Sequence, residues 1–263
     1  MHRHLERKTA IIYGAGGAIG GAVSRAFAAE GATVFLTGPD LSAVHIVARE
    51  IIEAGGLAET AQVDALDERA VEGHAANVAR KTGAIDISFN VISIPYVQGK
   101  PLVEQRVDDF VMSVMQHART QFLTATTAAR YMIARRRSGA ILMMTAPPDR
   151  TGRPLVGAFG PACAAIEAFA RTLAAEIGPH GVRVVCLRSS GSQGETDGAR
   201  NSGSCAKVAG ISDEQAQTRL KETATLRRFT TLDEVARVAV FVASDDARAM
   251  TGTSVNVSSG PRR

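Results

Sequence analysis

TAIIYGAGGAIGGAVSRAFAAEGATVFLT, from Thr9 to Thr37, is the stretch on which the fold turns. Thr9–Tyr13 is a short apolar run with strand character, Gly17–Glu30 reads as a helix, and Thr33–Thr37 is a second strand-like run. Strand, glycine-rich turn, helix and strand together make a βαβ unit. In YGAGGAIGGA (Tyr13–Ala22) the glycines permit a tight turn. They also let backbone N–H groups and the helix N-terminus approach a pyrophosphate. That context points to dinucleotide binding; a turn kept glycine-rich only for close helix–sheet packing is the alternative.

The same alternation continues along the chain. Leu41–Ala54 reads as helix, Leu57–Val63 as strand, Asp67–Lys81 as helix and Ile85–Phe89 as strand. A long helix over Leu102–Arg136 precedes a strand at Ala140–Thr145, a helix from about Phe159, and a strand at Val182–Leu187. A helix at Leu232–Ala243 and a strand at Thr253–Val257 close the series. Strands separated by helix-length segments require right-handed crossovers and a parallel sheet. The expected fold class is therefore α/β: a single doubly wound Rossmann-type domain over residues 1–263, with about seven parallel strands and helices on both faces. Ser189–Thr225, which opens SSGSQGETDGARNSGS, breaks the rhythm and reads as a mobile lid or substrate loop.

Composition narrows the function classes. Thirty basic and 26 acidic residues give a net charge of +4, but they are scattered. A nucleic-acid surface would need them clustered on one face, so none is expected. Arg135-Arg136-Arg137 suits a helix C-terminus. The three cysteines, Cys163, Cys186 and Cys205, lack metal-ligand spacing and fit a reducing cytoplasm, so no metal site is expected. No apolar run is long enough for a membrane span or signal segment, which leads to the expectation of a cytoplasmic protein that acts on a small molecule.

The chain resembles the short-chain dehydrogenase/reductase (SDR) family from about Lys8 to Gly260. The family's TGxxxGxG appears as Tyr13-Gly14-Ala15-Gly16-Gly17-Ala18-Ile19-Gly20, with Ala18 in place of the middle glycine. Val63-Asp64 is similar to the family's adenine-holding Asp, and RFTTLDEVA (Arg228–Ala236) and MTGTSVNVSSG (Met250–Gly260) are similar to its closing segments. The resemblance implies an oxidoreductase that moves hydride between NAD(P)(H) and a carbonyl or alcohol. It implies cofactor contacts at Gly14, Gly16, Gly17, Ala18, Ile19, Gly20, Gly38, Pro39, Asp64, Ala65, Asn90 and Val91. It also implies a homo-oligomer, a tetramer built through paired long helices and the last strand. At the tip of the second strand Gly38 and Pro39 replace the acid of NAD-preferring relatives and the Arg of NADP-preferring ones, which leaves NAD versus NADP open.

Where the family places its proton-transfer residues, this sequence departs. GAFGPACAA puts Phe159 at the Tyr position and Cys163 at the Lys position. The family's spacing puts Ala146 at the Ser position, with Thr145 adjoining, and His117 at the Asn position. No Lys occurs between Pro101 and Ala206, and the tyrosines are Tyr13, Tyr96 and Tyr131, so a shifted alignment does not restore the pair. Phe cannot exchange a proton and Cys is not a fixed cation. Substitutes carry bland alternatives beside them. His117 has the chemistry of an acid or base but also of a satisfied structural histidine. Thr145 is able to hold a substrate oxygen or merely fill a β position. Cys163 is a nucleophile only if ionised, and otherwise a small buried hydrophobe. Tyr96 reads as a loop residue that either reaches the site or packs. An inactive NAD(P)-binding sensor or oligomer partner, and non-redox chemistry in the same pocket through His117 or Thr145, stand as alternatives to the oxidoreductase.

Overall fold

A computed structural model describes residues 3–136, 138–190, 212, 218, 221–222 and 224–260. The strands are β1 (Thr9–Tyr13), β2 (Thr33–Gly38), β3 (Leu57–Gln62), β4 (Ile87–Asn90), β5 (Gly139–Thr145), β6 (Val182–Ser189) and β7 (Thr253–Val257). The helices are α1 (Ala18–Ala29), α2 (Leu41–Glu53), α3 (Glu68–Thr82), α4 (Val107–Ala134), α5 (Pro148–Thr151), α6 (Phe159–Ile177) and α7 (Leu232–Ala243). All seven strands are parallel, in the order β3-β2-β1-β4-β5-β6-β7. The order reverses between β1 and β4, and ligands bind in such sheets outside the carboxyl ends of the strands at that switch point.

The residues explain the layers. β1 is TAIIY and every residue of it is buried, as a central parallel strand covered on both faces demands. Edge strand β3 is LAETAQ, and no residue of it is fully buried. On one face of the sheet Val34, Leu36, Phe89, Leu142 and Leu187 pack with Val23 and Phe27 of α1 and Val240 of α7. On the other, Ile11, Phe35, Ile141 and Met143 pack with α3, α4 and α6 through Val71, Ala129, Met132, Ile166 and Leu173.

Several boundaries differ from the sequence reading. The single helix expected over Leu102–Arg136 is a 3₁₀ turn, Leu102–Glu104, separated from α4. Gln105 (φ −76°, ψ 148°) and Arg106 (φ −73°, ψ 143°) are extended, and Asp108 and Asp109 then begin α4 at its positive dipole end. At the other end Arg136 takes φ 51° and stops the helix. The fourth strand starts at Ile87, and Asp86 just before it accepts at Oδ2 from Thr9 N at 2.8 Å. β6 continues to Ser189, and the short α5 was not anticipated. Most of the expected lid, from 191 to 211 with parts of 213–223, lies outside the described residues.

His74 on α3 gives the core an acid sensitivity. It lies edge-on to Tyr13 (6.5 Å between centroids) and Phe35 (6.4 Å), and its Nδ1 has no hydrogen-bond partner among the described residues. Burial, opposed by Glu59 and assisted by Lys81, holds its pKa down at about 4. In the unfolded chain the ring protonates near pH 6.5, so from there down to about 4 the unfolded state binds the extra proton. Stability is therefore complete above pH 6.5 and falls by about 3 kcal/mol as pH drops to 4. Urea unfolding at pH 7 and pH 4.5 measures this, and His74→Leu should flatten the profile in that window.

Candidate active site

The glycine turn joins β1 to α1 at the switch point. Gly14 has φ +84°, and a Cβ there would stand 3.2 Å from Ile92 N. A Cβ on Gly20 would lie 2.2 Å from the Gly14 carbonyl oxygen, and one on Gly16 2.9 Å from Ala43 Cβ. Gly14 N and Ala15 N both donate to Thr37 O at 3.0 Å, and Gly17 N donates to Gly14 O at 3.1 Å, which pins the turn to β2. Gly17 is the N-cap of α1 and makes no side-chain capping bond. The first N–H groups of α1 have no intrahelical carbonyl to donate to, and an anionic pyrophosphate fits such a helix start.

Around this turn the sheet gathers the other expected contacts. Gly38 ends β2, Pro39 O accepts from Gln62 Nε2 at 2.9 Å, and Asp40 caps α2 by accepting from Ser42 N at 2.9 Å. The Ser42 hydrogen bonds, side chain first, hold the exposed Asp40 carboxyl below its ordinary range, so it is ionised. Val63 N donates to Gly38 O at 3.1 Å, which places Asp64 and the buried Ala65 beside the β2 tip. Asp64 is exposed, and its Oδ1 accepts from Leu66 N at 2.9 Å. Asn90 ends β4, donates through Nδ2 to Thr124 Oγ1 at 3.0 Å, and accepts at Oδ1 from Ile92 N at 3.0 Å. Val91 N donates to Tyr13 O at 3.0 Å, which sets the β4 exit against the glycine turn.

The positions expected to move a proton form a ring cluster beyond β4 and β5. Tyr96, in the segment between β4 and α4, lies parallel to Phe159, with centroids 4.7 Å apart and planes 8° from parallel. His117 of α4 stands edge-on to both, 6.3 Å from each. The His117 Nδ1 is 2.9 Å from Ser113 O, and since a carbonyl only accepts, Nδ1 carries the hydrogen of the neutral ring and Nε2 is left as an acceptor. Burial lowers the His117 pKa, with the Ser113 bond acting the other way, so the ring is neutral near pH 7. Cys163 and Ala146 are each 4% exposed.

Thr145 is engaged by a group that the sequence reading missed. Its Oγ1 donates to Glu167 Oε1 at 3.1 Å, and Arg188 grips the same carboxylate through Nε at 2.7 Å and Nη2 at 2.5 Å. Thr145 and Arg188 are register partners on β5 and β6, and Glu167 follows Cys163 by one turn of α6. Glu167 raises the Arg188 pKa, so the guanidinium is a permanent charge. Beside it Cys186 is pushed up to about 12, chiefly by burial and then by Glu167, so it is a thiol and not a thiolate. The available signal was an Arg two residues past Cys186 at the end of the strand run, with an acid on the helix above.

Comparison with known proteins places this geometry. Residues 14–261 match the family model described as Enoyl-(Acyl carrier protein) reductase. Galactitol 2-dehydrogenase of Agrobacterium fabrum is 27% identical over 97% of this chain and 98% of its own length. Sorbitol dehydrogenase of Cereibacter sphaeroides is 26% identical over 97% and 98%. Among solved structures, NAD+-bound xylitol dehydrogenase superposes with a TM-score of 0.91 at 25% identity, over 97% of this chain and 99% of that one.

Proposed function

Because this chain belongs to the short-chain dehydrogenase/reductase family, we propose that it transfers hydride between a nicotinamide dinucleotide and the alcohol or ketone of a polyol-like small molecule. The glycine turn between β1 and α1 at the switch point of the sheet, where the N-terminal N–H groups of α1 can meet an anion, is the observation that supports the cofactor half of this reading. The polyol half follows the dehydrogenases to which the chain is similar. In this assignment Gly14, Gly16, Gly17, Ala18, Ile19 and Gly20 hold the pyrophosphate, and Asp64 and Ala65 border the adenine. Gly38, Pro39 and Asp40 face the ribose, and Asn90 and Val91 line the path to the reacting ring. The nicotinamide, when bound, supplies or accepts the hydride; the protein's share is orientation and a proton path.

Asp40 points to NAD(H) over NADP(H). It is ionised and exposed at the β2 tip, and residues 37–44 (TGPDLSAV) contain no Lys or Arg to offset its charge. A 2′-phosphate would meet net repulsion there, whereas a ribose 2′-hydroxyl can donate to a carboxylate. Calorimetric titration should show NAD(H) binding at least about tenfold tighter than NADP(H), equivalent to about 1.4 kcal/mol. A panel of galactitol, sorbitol and xylitol, run with NAD+, then tests turnover. Absence of binding for both cofactors would refute the reading. Binding without turnover of any alcohol or ketone would favour the second reading, a nucleotide sensor, for which Phe159, Cys163 and Ala146 at the proton-transfer positions already speak.

The assembly reading belongs here too. Val107, Val111, Met115 and Phe122 leave an apolar stripe exposed along α4, and Phe169 of α6 extends it, 5.6 Å from Phe122. Such a stripe is costly in water, and a homotetramer that covers it, working in the cytoplasm, is the state that light scattering should find. No helix among the described residues is long and apolar enough to cross a membrane, and none of their side chains cluster as a metal site.

A further inference from the structure

We propose that His117 is the proton acceptor of this site: its Nε2 takes the hydroxyl proton of an alcohol substrate as the carbinol hydride leaves for the oxidised cofactor. This rests on the oxidoreductase reading above and names the residue that handles the proton.

The placement of His117 comes from α4 and β4. Gln121 Nε2 donates to Asn90 O at 3.4 Å, and Asn90 is the last residue of β4, paired in register with Tyr13 of β1. α4 leads from the carboxyl end of β4 back toward the start of β5, a parallel neighbour. His117 precedes Gln121 by one turn on the same buried face, so it lies beyond the carboxyl end of β4. Ligands of such sheets bind there. The ring also stands 6.3 Å from Phe159, the residue at the family's Tyr position.

The two ring nitrogens have different surroundings. Ser113 O holds Nδ1 at 2.9 Å, so Nδ1 keeps the hydrogen and Nε2 presents a lone pair. Four enclosed side-chain atoms lack a partner among the described residues: His74 Nδ1, Gln105 Oε1, Gln121 Oε1 and Ser258 Oγ. His117 Nε2 is not one of them, and Ser113 O is the hydrogen-bond partner of the ring, so Nε2 opens onto space that a ligand can enter. A lone pair accepts from a hydroxyl and has nothing to give a carbonyl, which sets the neutral ring to work on alcohols. Side chains beside it do not compete. Ala146 and Phe159 carry no acidic or basic group, and Thr145 gives its hydrogen to Glu167.

In the step, the substrate O–H bond breaks and its proton joins Nε2. The electron pair left on oxygen forms the C=O π bond, and the carbinol C–H pair departs as hydride. The imidazolium then passes the Nε2 proton to water, while the Nδ1 hydrogen stays on Ser113 O throughout.

Initial rates with NAD+ and galactitol, sorbitol or xylitol from pH 5 to 8 test this, with a melt at each pH to separate inactivation from unfolding. Tyr96 is the titratable group that faces the ring, and burial, opposed by the Ser113 bond, holds the His117 pKa below its ordinary value. Since the neutral ring is the working form, kcat/KM should fall on an acid limb below about pH 6.5. His117→Gln, which has no basic group, should lower kcat about 100-fold or more and remove the limb, with the NAD+ Kd unchanged. Added imidazole should restore part of the rate to His117→Ala, and Tyr96→Phe should keep the limb. A His117→Gln enzyme within twofold of the unmodified kcat, or one that keeps the limb, overturns His117 and leaves the oxidoreductase reading standing. So does an unmodified enzyme whose rate is flat from pH 5 to 8, which decides the matter even where a variant fails to fold. No turnover of any alcohol by the unmodified protein overturns both.

Discussion

Gly20→Ala should raise the Kd for NAD(H) by about 100-fold or more, a loss of about 2.7 kcal/mol, while the protein remains folded. The added methyl would sit 2.2 Å from the Gly14 carbonyl oxygen and 2.9 Å from Ala15 Cα. No rotamer relieves a Cβ, so the backbone must move. Gly14 cannot yield cheaply, since its φ is +84° and its N–H and that of Ala15 are both fixed to Thr37 O. The displacement therefore falls on the first turn of α1, whose N–H groups make the anion cradle. Gly73→Ala on α3 is the control. It lies outside the glycine turn, and its Cβ would meet nothing within 4 Å. Calorimetry on both variants, with a thermal melt to verify folding, separates the two. Equal affinity in Gly20→Ala and the unmodified protein would detach this turn from cofactor binding.

The same turn shows why so much of the fold was legible. β1, the glycines and α1 are contiguous, and each signal is local: a mostly apolar run, residues without Cβ, then helical spacing. Parallel topology followed from the alternation of elements, because two parallel strands need a long crossover. What escaped was set by contacts distant in sequence. Tyr96 and Phe159 lie on separate segments, and a loop residue carries no periodicity that says which ring it will meet. Glu167 reads as a polar position on a mostly apolar helix until β6 brings Arg188 under it. The break at Gln105-Arg106 escaped for a different reason, since neither residue is a helix breaker, yet both are extended. Gln105 Nε2, for example, donates to Lys100 O at 3.1 Å. The residues at 146, 159 and 163 were legible at once; the side chains around them were not.

Those surroundings govern how α6 responds to a lysine at position 163. Cys163→Lys, which would restore the cation that the family resemblance leads one to expect, should instead destabilise the protein by about 3 to 5 kcal/mol at pH 7. Position 163 is 4% exposed, and a buried ammonium can lose about three pKa units or more to desolvation. Glu167 is the obvious counter-ion one turn away. Its two oxygens already accept from Arg188 Nε, Arg188 Nη2 and Thr145 Oγ1, so a second cation would compete with a bidentate guanidinium. The Arg188 charge adds repulsion. A loss of this size lowers the melting temperature by about 10 °C in a domain of this length. Its pH dependence identifies the cause. A Lys whose folded pKa is depressed leaves the unfolded state binding more protons, so stability should recover as pH rises toward 10. Melts of Cys163→Lys at pH 7 and pH 9.5, each compared with the unmodified protein, should show a smaller deficit at the higher pH. A variant that melts within about 2 °C of the unmodified protein at pH 7 would mean that the site already accommodates a cation, and that Cys163 stands in a space still shaped for lysine.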